Sequence, residues 1–197
     1  MGTSDNFLDR LHIAKGSRIV DVGFGSNKEL LTLSSIVGET GLVFGIEHSE
    51  TLVKKAEREI NVANVRLSVG DAVRLPLPED SADIILFKGA LHEVKDVQQA
   101  LLEAKRVCNN GGKIVIVDFS QFPVTWLKMS NLKWRLGHPW RILGSPPDLH
   151  AGFERKQIQS HLEKTGLREE LYEDNLGQGR FYGHPVTMFL ATSTVQK

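Results

Sequence analysis

From residue 17 onward, short apolar runs alternate with segments whose apolar residues recur every three or four positions. Arg18-Ile19-Val20-Asp21-Val22 is β-branched and stops at Gly23, which predicts a buried strand. Leu30 to Val37, closed by Gly38, predicts a helix, and Leu42 to Ile46 a second strand. Leu52, Ala56 and Ile60 form an i, i+4, i+8 stripe, expected to be the buried face of the next helix. Val65 to Val69 and Ala82 to Phe87 are the third and fourth strands. Val97, Leu101, Ala104 and Cys108 then share one helical face. Asn110-Gly111-Gly112 is expected to stop that helix, because Asn and Gly tolerate the left-handed conformation at a helix end. Lys113 to Phe119 is a fifth, nearly all-apolar strand. Glu154 to Lys164, followed by Gly166, predicts a last helix. Leu167 to Tyr172 and Val186 to Ser193 follow as two strands with no helix between them, which implies an antiparallel pair.

Continuous apolar strands alternating with helices imply a parallel sheet covered on both faces. With the terminal pair added, the expectation is an α/β, Rossmann-like, doubly wound sheet of about seven strands with the last one antiparallel. No repeat, low-complexity tract or linker interrupts the pattern, so residues 1–197 are expected to form one domain. At 41% hydrophobic and 24% charged, the chain can supply its own core without a disulfide or metal staple. Lys+Arg and Asp+Glu balance at 24 each, so whole-chain charge names no partner. The single cysteine, Cys108, excludes an intramolecular disulfide and every multi-cysteine zinc pattern. No histidine pair has helical metal-ligand spacing with a third ligand beside it, so no metal is expected. There is no apolar run of about 18 residues, and the polar first ten carry no signal-peptide core; a cytoplasmic protein is expected.

The chemistry gathers where strands end. The first strand runs into Asp21-Val22-Gly23-Phe24-Gly25-Ser26-Asn27. Glycines at a strand-to-helix turn let a ligand approach the backbone, and the helix N-terminus offers free N–H groups. A lone Gly-x-Gly is equally the mark of a plain tight turn. Glu47, at the end of the second strand, is placed to accept hydrogen bonds from both hydroxyls of a ribose; its structural alternative is an exposed strand-end acid. Asp71, after the third strand in Gly70-Asp71-Ala72, could read an adenine ring or merely cap a helix. His92, on the loop after the fourth strand, could act as a general base or simply shape a pocket.

In this order, the chain from about residue 10 to 120 resembles the class I S-adenosylmethionine-dependent methyltransferases, of the methyltransferase-11 and ubiquinone/menaquinone-biosynthesis-like group. Ile19 to Gly25 resembles the family's first motif, Gly45-Ile46-Glu47 its ribose acid, and Gly70-Asp71-Ala72 with Leu75-Pro76-Leu77 its adenine motif. Asp83 to Leu86 with Ala90-Leu91-His92-Glu93-Val94 resembles its fourth strand and turn, and Arg106 to Gly112 its approach to strand five. The resemblance implies strand order 3-2-1-4-5-7-6 and S-adenosyl-L-methionine as cofactor. It points to Asp21, Gly23, Phe24, Gly25, Glu47, His48, Gly70, Asp71, Ala72 and Lys88 as cofactor-binding and to His92 as the candidate catalytic residue. Departures are visible. Asn27 replaces the usual third glycine, with Asn's tolerance of the left-handed region expected to preserve the turn. Lys88 puts a cation where a small residue is usual; it would oppose a sulfonium and favour a carboxylate, so its direction matters. His48 stands where Asp or Ser is more typical, and few residues precede the first strand.

Residues 121–153 are left as a substrate-covering insertion. All three tryptophans (Trp126, Trp134, Trp140) fall here, with Lys128, Lys133, Arg135 and Arg141 and no acid between Phe119 and Pro147. Trp126, Trp140 and Arg141 are the substrate candidates; the plainer alternative is a packed helix and a Pro-rich loop. The expected partner is a small apolar or anionic acceptor. A nucleic acid or a membrane surface is a weaker match for four cations, and the oligomeric state stays open. Two rivals are an NAD-dependent oxidoreductase, disfavoured because a full dinucleotide fingerprint needs Gly or Ala at Lys28, and a non-catalytic cofactor-binding protein of the same fold.

Overall fold

The computed structural model describes residues 7–120, 152–181 and 184–197; Trp126, Trp140 and Arg141 lie outside them. The elements are α1 (Phe7–Arg10), β1 (Arg18–Val22), α2 (Asn27–Val37), β2 (Leu42–Glu47), α3 (Glu50–Glu59), β3 (Val65–Val69), β4 (Ala82–Lys88), a 3-10 turn (Leu91–Glu93), α4 (Val97–Val107), β5 (Cys108–Phe119), α5 (Arg155–Lys164), β6 (Leu171–Phe181) and β7 (His184–Thr194). They build a seven-stranded sheet in the expected order, β3-β2-β1-β4-β5-β7-β6. Pairing is parallel from β3 through β5, and β7 runs antiparallel to both β5 and β6. None of the described helices is long and apolar enough to cross a membrane.

Alternate residues along each central strand face opposite sides of the sheet. Val20, Ile85, Phe87, Ile114 and Ile116 pack with α4 and α5, while Ile19, Ile84, Leu86, Val115 and Val117 pack with α1, α2 and α3. The near-continuous apolar strands thus reflect burial on two faces. Local signals set the helix starts. Ser49 accepts the Leu52 N–H ahead of α3, Asp96 accepts the Gln99 N–H ahead of α4, and Glu154 with Gln157 forms a capping box on α5.

Several boundaries and faces differ from expectation. α2 begins three residues early, at Asn27, because the glycine turn passes directly into helix. α3 buries Val53 and Ala56, while Leu52 is 40% exposed and Ile60 lies just past the helix end. Four apolar residues allow more than one stripe here, and the position of the sheet selects the i, i+3 pair. α4 stops at Val107 rather than at the Asn-Gly-Gly run. Cys108 turns straight into extended backbone, and that run forms the irregular start of β5, where the register shifts between Ala82 and Ile84. Burial pushes the Cys108 thiol up to about 12, so it packs and does not react. Leu167 belongs to the end of α5, not to a strand: its N–H reaches back to the Leu162 carbonyl at 2.9 Å, and β6 begins only at Leu171.

The terminal hairpin is held by Phe189, which is fully buried, stacks on Tyr172 at 5.4 Å and meets Phe153 edge-on at 6.5 Å. Phe189→Ala is expected to cost about 3–5 kcal/mol of unfolding free energy. Urea titration checks this; a loss below about 1 kcal/mol would mean the hairpin is not part of the cooperative core.

Candidate active site

The site is built on the carboxyl ends of β1, β2, β3 and β4. Gly23 leaves β1 with φ 74°, and its N–H donates to the Ile46 carbonyl at 2.7 Å. A Cβ on Gly23 would sit 2.6 Å from the Ala90 Cβ, so glycine lets the loops after β1 and β4 meet. Gly25, at φ 46°, plays the other role: a Cβ there would meet only the Gly23 carbonyl oxygen, at an ordinary contact of 3.8 Å, so its backbone stays approachable. Ser26 precedes α2 without a side-chain cap, leaving first-turn N–H groups for a ligand. Phe24 is buried in the core and can offer only backbone to the crevice. Asn27 is the first helical residue, outside the left-handed region, and donates to Glu59 Oε2 at 2.6 Å. The missing third glycine therefore imposes no strain.

Beneath the turn lies Asp21, fully buried, with neither carboxylate oxygen hydrogen-bonded among the described residues. Burial, then the Glu29 charge, pushes its pKa well above the ordinary range; Lys88 opposes and Glu47 adds to the rise. An unpaired buried carboxylate is costly, and a cationic ligand group would satisfy it. Lys88 does not meet the crevice alone: its Nζ pairs with Glu29, and lies 5.4 Å from the centre of the Phe7 ring. Its charge is thereby spent on the protein, which removes the conflict with a sulfonium. Glu29 escaped the sequence analysis because a first-turn acid looks like ordinary dipole complementarity.

Glu47 ends β2 with its side chain buried. The Ser49 N–H donates to Oε1 at 3.0 Å and the His48 ring sits 2.8 Å from the same oxygen, so both contacts fall on one oxygen of the carboxylate. The His48 side chain is 79% exposed and serves Glu47 from outside. The Gly70 N–H donates to the Glu47 carbonyl at 3.0 Å, joining the ends of β2 and β3. Asp71 is exposed and caps no helix; its Oδ1 accepts the Val73 N–H at 3.1 Å and fixes the turn, and Ala72 packs against the core. Val69, paired with Glu47 across the strands, is 46% exposed, as Leu52 is at 40%. Both are exposed apolar side chains, a surface that suits a flat ring. In sequence both looked like core.

On the β4–β5 side, His92 sits in the 3-10 turn with its ring buried. Its Nδ1 lies 2.7 Å from Asp118 Oδ1, and its backbone N–H donates to Asp118 Oδ2 at 3.1 Å. Asp118 is fully buried near the end of β5 and was not singled out from sequence, although it is the one charge in Ile114–Phe119. The glycine turn, the unsatisfied Asp21 and the shielded Glu47 suit an aminoacyl-bearing nucleoside such as S-adenosylmethionine.

Two outcomes are expected. Glu47→Ala should weaken S-adenosylhomocysteine about ten- to hundredfold by calorimetry, with an unchanged melt, since water replaces part of the lost charge-assisted hydrogen bonding. An unchanged dissociation constant would remove Glu47 from the ribose. Asp21→Asn should raise the melting temperature at neutral pH by about 2–4 °C per kcal/mol relieved. Because the folded-state pKa of Asp21 is raised, wild type loses stability as pH climbs from the ordinary aspartate range through that raised value. The advantage of the variant should therefore vanish in acid, and an advantage independent of pH would contradict the assignment.

Residues 20–116 match the family model of a methyltransferase domain. A demethylmenaquinone methyltransferase from Geobacillus kaustophilus is 32% identical over 120 residues, covering 59% of this chain and 51% of that protein. The chain thus spans about half the length of the curated relatives it matches. A SAM-dependent methyltransferase from Aquifex aeolicus has the same fold, with TM-score 0.73, 23% identity and coverage of 98% of this chain and 89% of that one. A second such structure, from Methanosarcina mazei, gives TM-score 0.74 at 18% identity over 96% of this chain and 97% of that one. Domain match, relatives and fold agree: the chain is similar to the S-adenosylmethionine-dependent methyltransferases, in sequence over residues 20–116 and in fold over nearly its whole length.

Proposed function

We propose that the chain transfers the methyl group of S-adenosyl-L-methionine to a small apolar aromatic acceptor, of which a naphthoquinol is the model. When bound, the cofactor supplies a methyl group on a sulfonium, already activated for in-line attack. The residues have only to bind, orient and exclude water. Glu47 holds the ribose, the Gly23–Gly25 turn receives the aminoacyl end, and Asp21 with Glu29 matches its positive charge. His48, Gly70, Asp71 and Ala72 support this set by fixing Glu47 and the adenine-side turn, and Lys88 by holding Glu29.

The observation that supports the acceptor's position is how the chain leaves the end of β5 and returns beside it. Ser120 bridges Phe153, the Phe153 N–H donates to the Phe119 carbonyl at 2.8 Å, and the Ser120 N–H donates to the Thr187 carbonyl at 2.9 Å. Ser120 and Phe153, the residues flanking the 121–151 connection, are therefore tied beside Asp118, on the side where His92 lies. This supports residues 121–153 as the acceptor cover, with Trp126, Trp140 and Arg141, which lie outside the described residues, as its substrate candidates. The curated relatives named for demethylmenaquinone support an apolar, quinone-like acceptor. A nicotinamide reading fits less well, since Lys28 occupies the dinucleotide fingerprint in the first turn of α2.

Calorimetry should detect S-adenosylmethionine and S-adenosylhomocysteine but not NAD; tight NAD binding with no response to S-adenosylhomocysteine would overturn the function. With a short-chain naphthoquinol, Trp140→Ala and Arg141→Ala should impair turnover while leaving cofactor affinity and melting temperature nearly intact. A sharp drop in melting temperature for both would make the segment structural.

A further inference from the structure

We propose that His92 and Asp118 form a proton-accepting pair, and that the acceptor is one that must lose a proton on methylation, a phenol- or enol-type hydroxyl or its activated ring carbon. This rests on the methyltransferase assignment and specifies its acceptor side. Asp118 is an acceptor-only group when ionised, so the hydrogen in its 2.7 Å contact with the His92 ring belongs to Nδ1. Two backbone N–H groups fix the carboxylate: that of His92 at 3.1 Å to Oδ2 and that of Phe119 at 2.7 Å to Oδ1. In the neutral ring with hydrogen on Nδ1, the lone pair sits on Nε2. The Phe119 ring packs edge-on at 5.0 Å and restricts rotation of the imidazole.

A purely structural role is a poor account of this pair. Holding the 3-10 turn needs only the backbone N–H bond from His92 to Asp118. The ring contact adds a second buried polar group beside the end of β5, where apolar packing would be at least as stable. Among the described residues, the charged groups facing the imidazole are Asp118 from β5 and, from its own turn, Glu93, whose Oε1 lies 3.9 Å from Nε2. In the step, the acceptor atom bonds to the methyl carbon, the carbon–sulfur bond breaks with its electron pair going to sulfur, and the acceptor's proton passes to His92 Nε2. One positive charge leaves sulfur and one appears on the imidazole, close to two carboxylates.

The test uses His92→Gln and Asp118→Asn in this chain, a short-chain naphthoquinol kept reduced, and nitrogen NMR of His92. His92→Gln should bind S-adenosylhomocysteine within about threefold of wild type and lose about a hundredfold or more in kcat, the usual range for a general base. Wild-type kcat should fall on the acid side as the imidazole protonates, and that limb should vanish in His92→Gln. Asp118→Asn, a positioning change, should shift the ring away from its Nδ1–H form and displace the limb. A kcat within about threefold of wild type with the limb intact, or hydrogen resident on Nε2 in wild type, would overturn the pair. Failure of wild type to bind S-adenosylhomocysteine would instead overturn the methyltransferase assignment. Binding without naphthoquinol turnover counts against that acceptor, and the nitrogen spectrum then decides for or against the pair; it also decides should either variant unfold.

Discussion

Everything at the site follows from the reversal of strand order at β1. Its two neighbours, β2 and β4, continue in opposite directions through the sheet. The helices that follow β1 and β4 therefore cover opposite faces, and the chain parts above the strand ends to leave a crevice. The floor of that crevice is closed where Gly23 presses on Ala90, a contact no larger residue than glycine permits at that backbone position. On one side of this contact stand Asp21, Glu29 and Glu47; on the other stand His92 and Asp118.

The first group is dominated by negative charge. Glu29 pairs with Lys88, Glu47 is held by the Ser49 N–H and His48, and the most deeply buried carboxylate, Asp21, has no hydrogen-bond partner among the described residues. The sequence could have placed valine at Asp21 and gained stability. Keeping an acid there is the pattern expected where function outweighs local stability, because a bound cation recovers the loss. The second group is arranged differently. Asp118 is satisfied by donors, and its effect is to fix which nitrogen of His92 holds the lone pair.

Much of this was legible from sequence because burial on both faces of a parallel sheet forces long apolar runs, and each run ends where chemistry begins. Gly23, Glu47 and Gly70 were readable for that reason. Three kinds of information were not. Leu52 and Val69 look like core residues, because composition does not show which apolar side chain the sheet leaves uncovered. Asn27 looked like a left-handed turn residue, but the helix starts there, and where a helix begins depends on the direction of the preceding turn. Asp118 was visible as a charge in an apolar strand, yet its meaning depends on a partner 26 residues earlier that only the β4–β5 pairing brings within reach.

A structure of the chain with S-adenosylhomocysteine bound is the most direct test of this account. The ribose hydroxyls are expected on Glu47, the ammonium beside Asp21, and the sulfur turned toward His92. A nucleoside bound away from Glu47, or a sulfur facing away from the β4–β5 side, would contradict it.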